Sequence, residues 1–241
     1  MFKSSDFRQR AREERSALSP LLERNAALRG LFKGEPALRA RLEELQAWQA
    51  GRLRSTYADL LDQPRYRMAV EFFLGELYGA GDPTARDRDL LRVEHVMERL
   101  LPAQALHALT LAIELEILSQ ELDGDVVRAL PDGPITGDSY AAGYRGADRR
   151  ADRERQIDLI IECGQYLDKL VRLPLLRGLV RLARRPAHAA GFGALHEFLE
   201  RGLEAFDRMG RADEFLGTIG QRERTLSANL FAGRRDPFDV S

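Results

Sequence analysis

Glu114 and Glu121 stand seven residues apart in the run Ile113-Glu114-Leu115-Glu116-Ile117-Leu118-Ser119-Gln120-Glu121-Leu122. Seven residues is close to two helical turns, so both carboxylates stack on the face that carries Leu111, Leu115, Leu118 and Leu122. Ionised glutamates are costly to bury, so two of them in a leucine face require a counter-charge. Arginine or a metal ion could supply it. Helical bundles that hold two iron or manganese ions draw glutamates inward, but they also carry Glu-x-x-His pairs. Here Glu94 and His95 are adjacent, Glu98 follows His95 in the reverse order, and Glu197 and Glu200 form no such pair with His188 or His196. Arginine pairing is therefore the expected arrangement for Glu114 and Glu121. No metal ligand set and no cofactor is expected, and a carboxylate-metal enzyme is the rival reading.

A second group of polar residues follows an abrupt corner. The stretch Glu71–Arg92 begins as an apolar helix, stops at Gly79-Ala80-Gly81-Asp82-Pro83, and restarts in alternating charge. Glu71 and Glu76 are rotated by about 140° on that first helix and cannot face one point. Glu76 is expected to be part-buried beside Tyr78 and paired with an arginine. Asp82, Arg86, Asp87, Asp89 and Arg92 suit the start of the next helix, where the macrodipole favours carboxylates. Asp89 and Arg92 are i,i+3 neighbours and a local ion pair. These residues form either a polar pocket or a charge network that locks the corner, and the network needs no ligand. His95, beside Glu94, is the best general-base candidate, but no nucleophile is matched to it. His107, His188 and His196 are ordinary helical histidines. Cys163, the one cysteine, lies among Ile160, Ile161 and Leu167 and reads as an inert buried thiol. No phosphate-binding loop, dinucleotide fingerprint or serine elbow occurs.

Phe72-Phe73-Leu74-Gly75-Glu76-Leu77-Tyr78 resembles a bacterial family marked by an FFLEELY motif. The likeness continues through Gly79, Asp82, Arg86-Asp87-x-Asp89 and Arg92, then through Leu100-Leu101-Pro102, Ile113-Glu114-Leu115, Leu122-Asp123, Ala151–Ile157 and Pro186–Gly210. Gly75 stands where the motif has Glu, so no role of that Glu transfers. The resemblance implies a helical cytosolic protein and brings no activity with it.

The elements that must position these residues are helices. Leucine occurs 38 times against 15 Val plus Ile, which opposes β-sheet. Pro20, Pro36, Pro64, Pro83, Pro102 and Pro186 each precede a helix-like stretch. Apolar periodicity predicts helices over 5–18, 20–33, 36–62, 64–79, 84–100, 102–129, 136–146, 150–184, 187–209 and 212–231, with Pro174 splitting the long one. Asp132-Gly133-Pro134 breaks the chain near its middle. The expected fold is all-α: a helical arm over 1–34, one bundle-like multi-helix domain over 35–232, and a frayed tail over 233–241.

The bulk numbers bound the partners. With 241 residues and a net charge of −1, no global field draws nucleic acid. The N-terminus lacks the apolar core of a secretory leader, no window reads as a membrane span, and a single cysteine excludes a disulfide framework, so a cytoplasmic setting is expected. Arg172, Arg177, Arg181, Arg184 and Arg185 interleave with Leu173, Leu175, Leu176, Leu179, Val180 and Leu182. This basic amphipathic stretch suits either an anionic membrane or a core hairpin with an arginine rim, and the core hairpin is the expected form. A membrane is accordingly not an expected main partner. The expected function is a non-enzymatic binding or scaffold protein with a buried Arg/Glu network, whose partner is a protein or a small molecule. Its expected binding residues are Glu76, Tyr78, Asp82, Arg86, Asp89, Arg92, Glu94, His95, Glu114 and Glu121. The 1–34 arm is compatible with a homodimer.

Overall fold

Proline sets the helix starts. Pro36, Pro64 and Pro174 open their helices, where a missing N–H loses no intrahelical bond. The computed structural model describes residues 18–31, 34–77 and 103–240, with side chains described for all of these but 76, 77 and 174–177. Every regular element among the described residues is a helix. In chain order they are α1 (residues 18–31), α2 (Pro36–Thr56), α3 (Ala58–Asp62), α4 (Pro64–Leu77), α5 (Ala103–Ala129), α6 (Gly137–Gly146), α7 (Arg150–Leu170), α8 (Pro174–Ala189), α9 (Gly193–Met209) and α10 (Asp213–Phe231). The fold is all-α and a single domain. The expected helix over 84–100 lies outside the described residues, as does all of 5–18 except Leu18.

The long α5 is the spine. It packs along α7 and meets α2 and α6, while α10 lies on the other side of α7. A second layer comes from α9, which rests on α4 and α8. Phe206 and Phe215 anchor the contact of α4, α9 and α10 and are fully buried, worth about 2–3 kcal/mol each. Leu45, Val126, Tyr140, Leu226 and Leu230 fill the opposite end. The arm helix α1 packs on the body: Leu18 and Leu22 are buried against Ile113, Ile117 and Leu195.

Four departures from the sequence reading have physical causes. The 36–62 helix is interrupted at Tyr57, where φ −114 and ψ 24 break the ladder and the side chain turns inward, 4% exposed. Pro186 does not start a helix; it sits in the last turn of α8, close enough to the end that little of the ladder is lost. The described part of the tail, residues 233–240, packs on the body through Pro237 and Phe238. Phe238 packs on Trp48, ring centroids 5.7 Å apart, and Asn229 Nδ2 donates to the Pro237 carbonyl at 3.4 Å. Finally, 172–185 forms one arm of a hairpin, but part of its apolar face lies outside the core. Its helix α8 packs on α9, yet Leu179 and Leu182 are 44% and 77% exposed.

Local turn chemistry set one element that apolar periodicity alone marks weakly. The Thr136 hydroxyl accepts from the Ser139 N–H at 3.2 Å, and the Ser139 hydroxyl accepts from the Thr136 N–H at 2.8 Å. This reciprocal box starts α6 and so orients Tyr140 and Tyr144. The preceding Gly133 holds φ +105, a conformation that favours glycine.

Candidate functional site

Five helices turn one stripe each toward a common interior space. On α2 the stripe is Gln49, Arg52 and Leu53; on α4 it is Val70, Phe73 and Leu74. Tyr140 and Tyr144 contribute from α6, and Arg153, Gln156, Ile157 and Ile160 from α7. The α10 face supplies Phe215, Leu216, Ile219, Glu223 and Leu226, and Tyr57 closes the ring from the α2–α3 junction. Apart from the adjacent Phe215 and Leu216, each stripe runs from its first residue in three- and four-residue steps or their sums, which is what one helical face offers. The space between them is a cavity of about 90 Å³. A water needs roughly 10–15 Å³ on this measure, so the cavity has room for several waters or a small organic group.

The walls divide by chemistry. Leu53, Val70, Phe73, Leu74, Ile157, Phe215, Leu216 and Ile219 form an apolar side. The polar side holds two arginines and one glutamate. Glu223 is neutralised within the protein: it accepts from Arg52 Nη1 at 2.8 Å and from the Tyr57 hydroxyl at 2.7 Å. Burial and the nearby Glu223 carboxylate push the Tyr57 phenol far above its ordinary pKa, so it remains a donor.

Arg153 is placed differently. Its side chain is 7% exposed, its Nη1 donates to Gln156 Oε1 at 2.9 Å, and its guanidinium carbon lies 4.6 Å from the centre of the Tyr144 ring. Gln156 is anchored in turn, donating to Ser119 Oγ at 2.8 Å. Among the described residues no carboxylate lies within ion-pairing distance of Arg153, and its Nη2 is buried with no hydrogen-bond acceptor. A guanidinium stays protonated inside proteins, so an unmatched positive charge faces the cavity. Gln49 adds an acceptor: its Nε2 donates to Asp123 at 3.0 Å, while its Oε1 is buried without a donor. Burial raises the Asp123 carboxyl above its ordinary pKa, opposed by the Arg153 charge and by the amides of Gln49 and Gln46.

Of the expected binding residues, side chains are described only for Glu114 and Glu121. Tyr78, Asp82, Arg86, Asp89, Arg92, Glu94 and His95 fall outside the described residues, and so does the side chain of Glu76. Glu114 and Glu121 are not buried as expected: they sit at the edge of the α5 leucine face, 38% and 25% exposed, where solvent reaches the carboxylates, and they do not line the cavity. Each has the arginine expected of it: Arg155 at 3.6 Å from Glu114 and Arg24 at 2.5 Å from Glu121. Among the described residues no group of three or more His, Cys, Asp and Glu could hold a metal ion. Cys163 is buried, and burial pushes its thiol up to about 12, in line with an inert group.

The sequence carried one signal for this cavity. Arg153 and Gln156 occupy the same three-four stripe as Ile157 and Ile160, so two polar residues interrupt an apolar face. Glu223 similarly shares the face of Ile219 and Leu226. The Phe72–Tyr78 motif bears on the site as well, since its Phe73 and Leu74 form part of the apolar wall.

Residues 31–237 match the model of a family described as a domain of unknown function, DUF8198. No curated protein and no solved structure matches the chain.

Proposed function

Because the chain belongs to this family of unknown function, we propose a role from its own cavity: it binds a small amphipathic anion, a carboxylate attached to a short apolar body. The observation that carries this reading is the buried Arg153 guanidinium on the cavity wall, whose Nη2 meets no acceptor among the described residues. A carboxylate would supply the missing charge and a charge-assisted hydrogen bond. The apolar body would lie against Phe73, Leu74, Phe215 and Leu216. Gln49 Oε1 would accept from a hydroxyl on such a ligand. Mostly apolar walls with a few fixed polar groups are the usual make-up of a small-molecule site.

Binding without turnover is the form this takes. Tyr57 and Tyr144 are poor bases, the Tyr144 phenol being pushed up to about 12 by burial, and the Glu223 carboxylate is engaged by Arg52 and Tyr57. A cytoplasmic setting belongs to the same reading, supported by a sequence with a single cysteine, which is buried. The Phe72–Tyr78 motif supports placing the protein with the bacterial FFLEELY-type proteins.

The test is calorimetric titration of the full chain with straight-chain monocarboxylates and with the alcohols of matching length. A saturable carboxylate signal is expected, with the alcohols weaker by roughly 10–100-fold, the worth of a charged hydrogen bond. Arg153→Met should abolish the carboxylate signal while keeping the helical circular-dichroism spectrum. Equal binding of acid and alcohol, or no binding of either, would refute the assignment.

A further inference from the structure

Residues 169–196 contain no Asp or Glu, although the whole chain carries 38 of them. The same stretch holds six Arg and Lys residues and two histidines. It encloses the whole of α8, which lies at the edge of the domain against α9.

The faces of α8 separate cleanly at about 100° per residue. Val180 and Ala187 are half-buried on one side. Next to them, Arg184 and His188 reach Glu200 and Glu197 of α9, at 3.8 and 3.7 Å. Arg181 and Arg185 come next, about 40° apart, and no carboxylate pairs with either among the described residues. Leu179 and Leu182 follow, about 60° apart and turned away from α9, 44% and 77% exposed. Exposed leucines scattered singly are unremarkable, but these two form a ridge bordered on one side by Arg181 and Arg185, on a helix without acidic residues.

We propose that α8 docks on an anionic lipid surface. The leucine ridge would enter the boundary between headgroups and acyl chains, and Arg181 and Arg185 would meet the phosphates. A bilayer suits this face because a lipid surface takes apolar and cationic groups side by side in one plane, and α8 presents both on a single convex ridge. Sixteen residues cannot cross a bilayer as a helix, and among the described residues no helix is long and apolar enough to span one, so α8 lies on the surface. This docking is independent of the interior cavity.

Flotation of the full chain with vesicles tests it. One set is phosphatidylcholine alone and the other is phosphatidylcholine mixed with phosphatidylglycerol, each at low and at high salt. The protein should float with the anionic vesicles at low salt and remain behind with the neutral ones and at high salt. Leu179→Ser/Leu182→Ser and Arg181→Glu/Arg185→Glu alter exposed positions only, and each should lower the partition by at least about tenfold with an unchanged circular-dichroism spectrum. No flotation with anionic vesicles, or flotation that both double variants retain, overturns the proposal. A dimer in sedimentation that Leu179→Ser/Leu182→Ser dissolves, without flotation, would assign the ridge to a second copy of the chain and overturn it equally.

Discussion

The Gln49 amide donates to the Asp123 carboxylate at 3.0 Å, with both side chains almost wholly out of water. Burial is the largest influence on Asp123 and raises its pKa, so the native state holds this proton more tightly than the unfolded chain does. Stability contributed at this site is therefore present at acid pH. It falls as pH rises from the ordinary carboxylate value through the raised native one. Asp123→Asn removes that titration and keeps an oxygen to accept from Gln49. The variant should match or exceed the parent in urea midpoint at neutral pH, with the difference vanishing below the ordinary carboxylate pKa. A variant that loses ground steadily as pH rises would contradict a raised Asp123.

Glu223 is the counter-charge of Arg52, whose side chain is only 10% exposed. Removing one partner of a buried pair is destabilising, by about 3–5 kcal/mol where the other charge has nothing else to meet it. Glu223→Gln keeps the shape and removes the charge. A fall in unfolding free energy near the lower end of that range is expected from urea titration, and the smaller change Tyr57→Phe should cost about 1 kcal/mol. Parental stability in Glu223→Gln would mean that Arg52 is solvated.

Gly164 of α7 packs directly against Leu216 of α10. A Cβ there would stand 2.3 Å from Leu216 Cδ2, and Leu216 lines the cavity. Alanine brings about 1 kcal/mol of helix propensity, but the overpacking costs about 1–3 kcal/mol and drives Leu216 toward the open space. Gly164→Ala should be neutral to mildly destabilising, and the affinity for the monocarboxylate probe should drop. Unchanged affinity would show that Leu216 does not shape the site.

Phe238 covers the only tryptophan. Trp48 is stacked on Tyr140, ring centroids 4.4 Å apart, and Phe238 meets it edge-on at 5.7 Å. Phe238→Ala should shift Trp48 emission to the red and lower stability by about 1–3 kcal/mol, below the range for a fully buried Phe because Phe238 is half-buried. Emission identical to the parent would mean that the tail does not cover the ring in solution.

The helices of this protein were legible in its sequence because their causes are local. Leucine steps of three and four along α5, proline at the starts of α2, α4 and α8, and the break at Pro174 all act within one or two turns. The arginine pairing of Glu114 and Glu121 followed as well, though at the solvent-reached rim of the leucine face and not within it. Which faces converge was not legible. Arg52 meets Glu223 across 171 residues, and Gln49 meets Asp123 across 74. Periodicity says that Arg153 shares a stripe with Ile157; it does not say that five stripes meet there around a void. That depends on how distant helices cross and pack, as does the exposure of Leu182, which on its own helix is indistinguishable from a core leucine. Sequence determined the helices and their charge pattern. Tertiary packing decided that a buried guanidinium would face an open space, and that α8 would keep its leucines outside.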